Sequence, residues 1–118
     1  MQAAQIDYIM EEGSVFSEQI IWRDADNDIY DLTGYTAMCE MRKNKNDSTA
    51  LDALTVTLGG TAGTITISLT SAETRALDFD TAYYDVEVSP SGAADLNTAA
   101  DVIRVYEGRI TFSREVSR

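Results

Sequence analysis

The chemistry open to this chain is carboxylate chemistry. Its 118 residues include no histidine and a single cysteine, Cys39. That removes Ser-His and Cys-His nucleophile pairs, histidine zinc sites and the commonest general base. Two acidic arrangements then need weighing. In RDADNDIYDLTGY, Asp24, Asp26 and Asp28 fall at positions 1, 3 and 5 of an EF-hand calcium loop. Position 6, where a sharp turn needs glycine, is Ile29, and position 12, where the ion needs a bidentate glutamate, is Tyr35. The stretch therefore reads as a solvated hairpin connection whose Asp and Asn side chains bond nearby backbone amides. Asp85 and Glu87 share the outward face of one strand; a hydrolytic pair needs a cleft, opposed placement and one raised pKa, and the expectation is a solvated face. Ser14, Ser17 and the threonines have no base beside them. No catalytic residue, metal ligand or cofactor is expected, and the chain reads as non-enzymatic.

The elements that must hold these groups follow a hydrophobic period of two almost throughout, which is the signature of strands. Ile6, Tyr8 and Met10 alternate, a turn follows at Glu12-Gly13-Ser14, and Phe16, Ile20 and Trp22 share a second phase. A short extended piece is expected at Ile29 to Leu32. Tyr35, Ala37, Cys39 and Met41 then point one way and Thr36, Met38, Glu40 and Arg42 the other, as in a half-buried strand. KNKNDSTA, at 43–50, is polar and aperiodic, hence a loop. Leu54, Val56 and Leu58, the turn GGTAG, and Ile65, Ile67 and Leu69 make the clearest hairpin in the chain. One short helical turn is signalled by TSAETRAL, where Thr70 and Glu73 have capping-box spacing. Tyr84, Val86 and Val88 face inward until Pro90 stops the strand. A loop at 91–101 leads to Val102–Tyr106, and a last strand after Gly108 carries Ile110 and Phe112.

About seven to nine short strands with turns every 8 to 12 residues describe a single antiparallel β-sandwich over residues 1–118, an all-β fold. Trp22 is the expected central anchor. ALDFDTAYYDVEV looks like the tyrosine-corner region of immunoglobulin-like folds, with Tyr84 the inward tyrosine.

Composition limits the partners. A net charge of −11 with nine lysines and arginines argues against nucleic acid, and no apolar run approaches the roughly 20 residues of a membrane helix. MQAAQIDYIMEEG lacks the basic start and apolar core of a secretory signal, so synthesis and retention in the cytosol are expected. There a lone cysteine behaves as a small buried apolar residue, and the sequon Asn46-Asp47-Ser48 has no meaning. The charge is uneven: acidic groups crowd residues 1–40, whereas Arg104, Arg109, Arg114 and Arg118 give the C-terminal end an excess of positive charge.

The order of motifs carries a resemblance. IIWRDADNDIYDLTGYTAMCEMR, AGTITISLTSAETRAL, YYDVEV and VYEGRITFSREVSR resemble, from Phe16 onwards, small proteins encoded among the tail genes of tailed bacteriophages. The chain is also similar to the N-terminal immunoglobulin-like module of phage baseplate upper proteins, which has a DLTGY-type segment. The resemblance implies a virion structural protein made in the host cytoplasm, an adaptor or cement subunit of a tail, baseplate or fibre attachment. Its partners would be other tail or baseplate proteins, or further copies of itself, with no nucleic acid and no membrane. The loop Ser89 to Asp101 is longer than a plain hairpin and is a place for a contact of the chain's own.

A mechanism compatible with that role is strand addition at a sheet edge. One terminal segment, bearing Ile6, Tyr8 and Met10 or Arg109, Arg114 and Arg118, would pair with a neighbour's sheet, the arginine end meeting an acidic N-terminal surface. A reading from another class is a carbohydrate- or receptor-binding sandwich with Tyr30, Tyr35 and nearby acidic loops as its platform.

Overall fold

A computed structural model describes residues 4–44, 52–90 and 101–114. In it the alternation of the sequence becomes eight strands: β1 (Ala4–Gln5), β2 (Tyr8–Glu11), β3 (Phe16–Ile21), β4 (Thr36–Arg42), β5 (Asp52–Leu58), β6 (Thr64–Leu69), β7 (Thr81–Ser89) and β8 (Ile103–Ser113). They form a continuous path from β1 through β8, β7, β4, β5 and β6 to β3, with β2 following β1 along β8. The path folds into two layers because β5 changes partner. Leu54 and the residues before it pair with β4, whereas Thr55 to Leu58 pair with β6. One sheet is thus β2-β8-β7-β4 with the start of β5, and the other is the rest of β5, β6 and β3. The result is an immunoglobulin-like β-sandwich.

Between the layers lies one core. Met41, Val86, Tyr106 and Ile110 face Ile65, Ile67, Leu69 and Phe16, all buried. The period of two is cleanest on β6 and β7, where every second residue is buried. Cys39 is among the buried apolar residues, as expected, and burial pushes its thiol pKa up.

The β5–β6 hairpin forms as read, closed by a 3-10 turn at Gly60–Ala62 and by Gly63 at φ +67. At Gly63 a side chain has no room, since a Cβ there would meet the Ile29 Cγ2 at 2.6 Å and the Tyr30 oxygen at 2.8 Å. The short piece expected at Ile29 to Leu32 packs against this turn. Ile29 to Leu32 joins no strand ladder; Tyr30 N donates to the Trp22 oxygen (2.8 Å) and Leu32 N to the Gly60 oxygen of the hairpin turn (2.9 Å), with an isolated bridge between Arg23 and Ile29.

The short helix α1 (Ser71–Ala76) starts with the expected capping box: Glu73 N donates to Thr70 Oγ1 at 3.2 Å and Thr70 N to Glu73 Oε1 at 2.8 Å. Thr74, fully buried, accepts from Gly13 N at 3.1 Å and lies 2.9 Å from the Ser14 oxygen. The helix thereby fixes the turn between β2 and β3.

Further expectations change in the pairing of the strands and the place of two aromatic residues. The sandwich is not wholly antiparallel, because β1 and β2 run parallel to β8. The predicted break at Gly108 is absent, and β8 is one strand of 11 residues with a register shift opposite Val86/Glu87. Tyr84 faces inward as its phase indicates, but its hydroxyl donates to the Ile6 oxygen at 2.5 Å, on the N-terminal segment rather than within the crossover before β7. Trp22 is buried in the core cluster, just beyond the end of β3 rather than on it, and stacks on Tyr30. The loop expected at 43–50 and the long loop to Asp101 fall largely outside the described residues.

Candidate functional site

The N-terminal segment is built into the sandwich by a clamp on Ile6 and Asp7. Ile6 N donates to the Glu107 oxygen at 2.9 Å, and Tyr84 holds the Ile6 carbonyl. Asp7 Oδ1 accepts from Arg109 N at 2.9 Å, so a side chain does the work of a backbone acceptor where the segment bends between β1 and β2. Gly108 lies under the bend: a Cβ there would come within 1.9 Å of the Ile6 oxygen. Two terminal segments expected to seek a neighbour's sheet therefore pair with each other.

That placement redistributes the predicted contact residues. Met10 is fully buried and belongs to the core. Ile6 and Tyr8 are half-buried, Tyr8 edge-on to Phe16 at 5.7 Å and tilted against Tyr84 at 5.8 Å. Arg114, exposed, is engaged by acidic groups of its own chain, 3.7 Å from Glu12, 3.3 Å from Asp78 and 3.6 Å from Asp80, with its guanidinium over Phe112. Arg109 is exposed, and Arg118 lies outside the described residues.

The acidic loop spends its first carboxylate on itself. Asp24 Oδ1 accepts from Asp26 N at 2.9 Å and Asp28 N at 3.0 Å, and Asn27 takes the left-handed φ of 67 that the turn requires. Among the described residues no group of three or more His, Cys, Asp or Glu is placed to hold a metal ion. Tyr30 and Tyr35 are occupied likewise. Tyr30 lies flat against Trp22 at 4.0 Å and Tyr35 meets Tyr30 edge-on at 6.4 Å, and both tyrosines are half-buried.

The outward face of the larger sheet is more organised than a solvated surface. Strand register sets Glu40, Asp85 and Glu107 side by side on β4, β7 and β8. Sequence spacing alone would not align Arg104 with Glu107, three residues apart on one strand; the register shift brings both to this face, 3.2 Å apart, with Asp85 3.4 Å from Arg104. Arg42 pairs with Glu40 at 3.2 Å. These groups, with Gln5 and Tyr83, line a shallow groove of about 270 Å³. Burial raises the Asp85 carboxyl above the usual range, Arg104 and Arg42 opposing it, and burial followed by the charge of Asp85 raises Glu87. The pair is adjacent along one strand and flanked by arginines, which is the geometry of a charge lattice and not of two carboxyls across a cleft.

The remaining feature is an opening. The strand path begins at β1/β2 and ends at β3, and among the described residues β2 and β3 each pair on one side only, with β8 and β6. Large apolar side chains are exposed along these two edges: Ile9 (70%) on β2, Val15 (71%) just before β3 and Ile21 (48%) at its end. Sequence reasoning missed β3 as an edge because its pattern, with Phe16, Ile20 and Trp22 in phase, matches that of a covered strand.

No protein-family model and no curated protein matches the chain. A solved structure to which it is similar contains the extracellular domains of the voltage-gated sodium channel beta4 subunit, described as parallel homodimers with a role in cell-cell adhesion. The identity is 13%, the TM-score 0.48, and the match covers 98% of this chain and 97% of that one.

Proposed function

We propose that this protein is a non-enzymatic structural subunit of a tailed-phage particle, an adaptor or cement in the tail, baseplate or fibre attachment. The observation that carries an assembly role is the pair of unpaired edges, β2 and β3, with Ile9, Val15 and Ile21 exposed beside them. Edges of this kind are satisfied by a neighbouring chain, and repeated contacts of one kind build symmetric assemblies. The assignment to a phage tail is supported by the resemblance of the ordered motifs, from the W-R-D strand end to the E-V-S-R close. Co-expression with the products of the genes beside its own tests it. A stable complex on size exclusion with one of them is the expected result. A chain that remains monomeric beside all of them, and captures saccharides on a glycan array, would overturn it.

A further inference from the structure

β3 is an edge strand with a charge on its inner face. Its register runs from Phe16 opposite Leu69 to Ile21 opposite Thr64, so Glu18 stands opposite Ile67, which is fully buried. Glu18 therefore has the phase of Phe16 and Ile20, directed toward the gap between the sheets, yet it is exposed, at a strand that among the described residues pairs with β6 alone. Its charge is felt inside: after burial itself, and among the charges that follow it, Glu18 raises the pKa of both Tyr8 and Tyr106. The Tyr106 hydroxyl is buried in that interior, beside Tyr8. From Tyr8 to Ile21 the edge segment contains Glu11, Glu12 and Glu18 and neither lysine nor arginine.

These facts select an occupant. A second copy is a poor one, because antiparallel pairing of two β3 strands about a two-fold axis sets the Glu18 carboxylates opposite each other or one step apart in the same gap, and an inward charge on an edge is a known guard against such pairing. An extended strand bearing a cation at that point meets the opposite condition: its backbone pairs with β3, its apolar residues cover Val15 and Ile21, and its cation is drawn to Glu18.

We propose that the β3 edge receives an extended segment of a different protein of the assembly, one with a lysine or arginine opposite Glu18. The inference rests on the assembly role above and deepens it by naming the edge and the chemistry of the partner.

The test uses the full chain with two nine-residue peptides of alternating threonine and valine, one with a central lysine and one with a central glutamate, in low salt. The lysine peptide is expected to protect the amides of 16–21 from hydrogen exchange and to bind about tenfold more tightly than the glutamate peptide. Glu18→Lys, checked by circular dichroism for an intact fold, should reverse that order, and Glu18→Gln should level it. Binding of neither peptide, equal binding of both, protection confined to β2, or an order unchanged in Glu18→Lys would overturn the proposal. Co-expression separates the two readings: Glu18→Lys entering a tail complex as well as the wild type sinks the edge and leaves the assembly role standing. If the wild type enters no complex, the role itself fails.

Discussion

At the scale of single residues, the clamp on the N-terminal segment is where small changes should have the largest effects. Tyr84→Phe removes the hydroxyl bonded to the Ile6 carbonyl and is expected to cost about 1 kcal/mol in chemical denaturation. Gly108→Ala should cost about 1–3 kcal/mol, since the added methyl meets the backbone carbonyl of Ile6 before any side chain. Hydrogen exchange should show β1 and β2 released before the rest; simultaneous loss of all strands would contradict the clamp. The acidic loop gives a contrasting case. Asp24→Ala removes the acceptor for two backbone amides and should lower stability by about 1 kcal/mol, whereas millimolar calcium should leave the melting temperature of the wild type unchanged. A clear upward shift with calcium would mean that the loop binds the ion after all. The half-motif of three aspartates was legible in the sequence, and so were the missing glycine and glutamate. The double use of the Asp24 oxygen was not, because it depends on a left-handed Asn27 that many neighbours could tolerate.

At the scale of elements, the termini form a structural unit. Removing residues 1–11 takes away Met10 and both partners of the outer side of β8. The truncated chain is expected to lose cooperative unfolding in a thermal melt, or to aggregate through the bared β8 edge. Sharp, two-state melting of the truncation near the wild-type temperature would show that the segment is an appendage. The hairpin of β5 and β6 and the capped turn of α1 were legible because both are local: glycine at a positive φ and a Thr-x-x-Glu cap act within a few residues. Parallel pairing of β2 with β8 could not be read in the same way. It joins residues about a hundred apart, and alternation looks the same whichever direction the partner runs.

At the scale of the whole molecule, charge and fold act together. On the outward face of the larger sheet, burial first and neighbouring carboxylates after it act against the ionisation of Asp85 and Glu87 in a chain of net charge −11. The Asp85 and Glu87 carboxyls have raised pKa values in the folded state, so the folded chain holds these protons more readily than the unfolded chain does. Their ionisation costs stability as pH rises through the folded values, and that stability returns as pH falls toward the unfolded values, below which it is constant. The urea midpoint is therefore expected to be higher at pH 5 than at pH 7, with the difference reduced in an Asp85→Asn/Glu87→Gln double variant. A double variant with an undiminished pH difference would place the effect elsewhere.

The sequence by itself determined the class of the fold, most of the inward residues and the poverty of catalytic side chains, because alternation, turn residues and residue types are properties of short stretches. Only the tertiary structure decided which strands are edges, that Glu18 faces the opening and that Arg104 and Glu107 share a face. Each of these depends on pairing between distant segments, and on a register shift that a single extra residue produces. RDADNDIYDLTGY became a self-bonded connection by the same route: Leu32 N is fixed to the oxygen of Gly60, a residue of the distant β5–β6 turn that no local pattern places beside it.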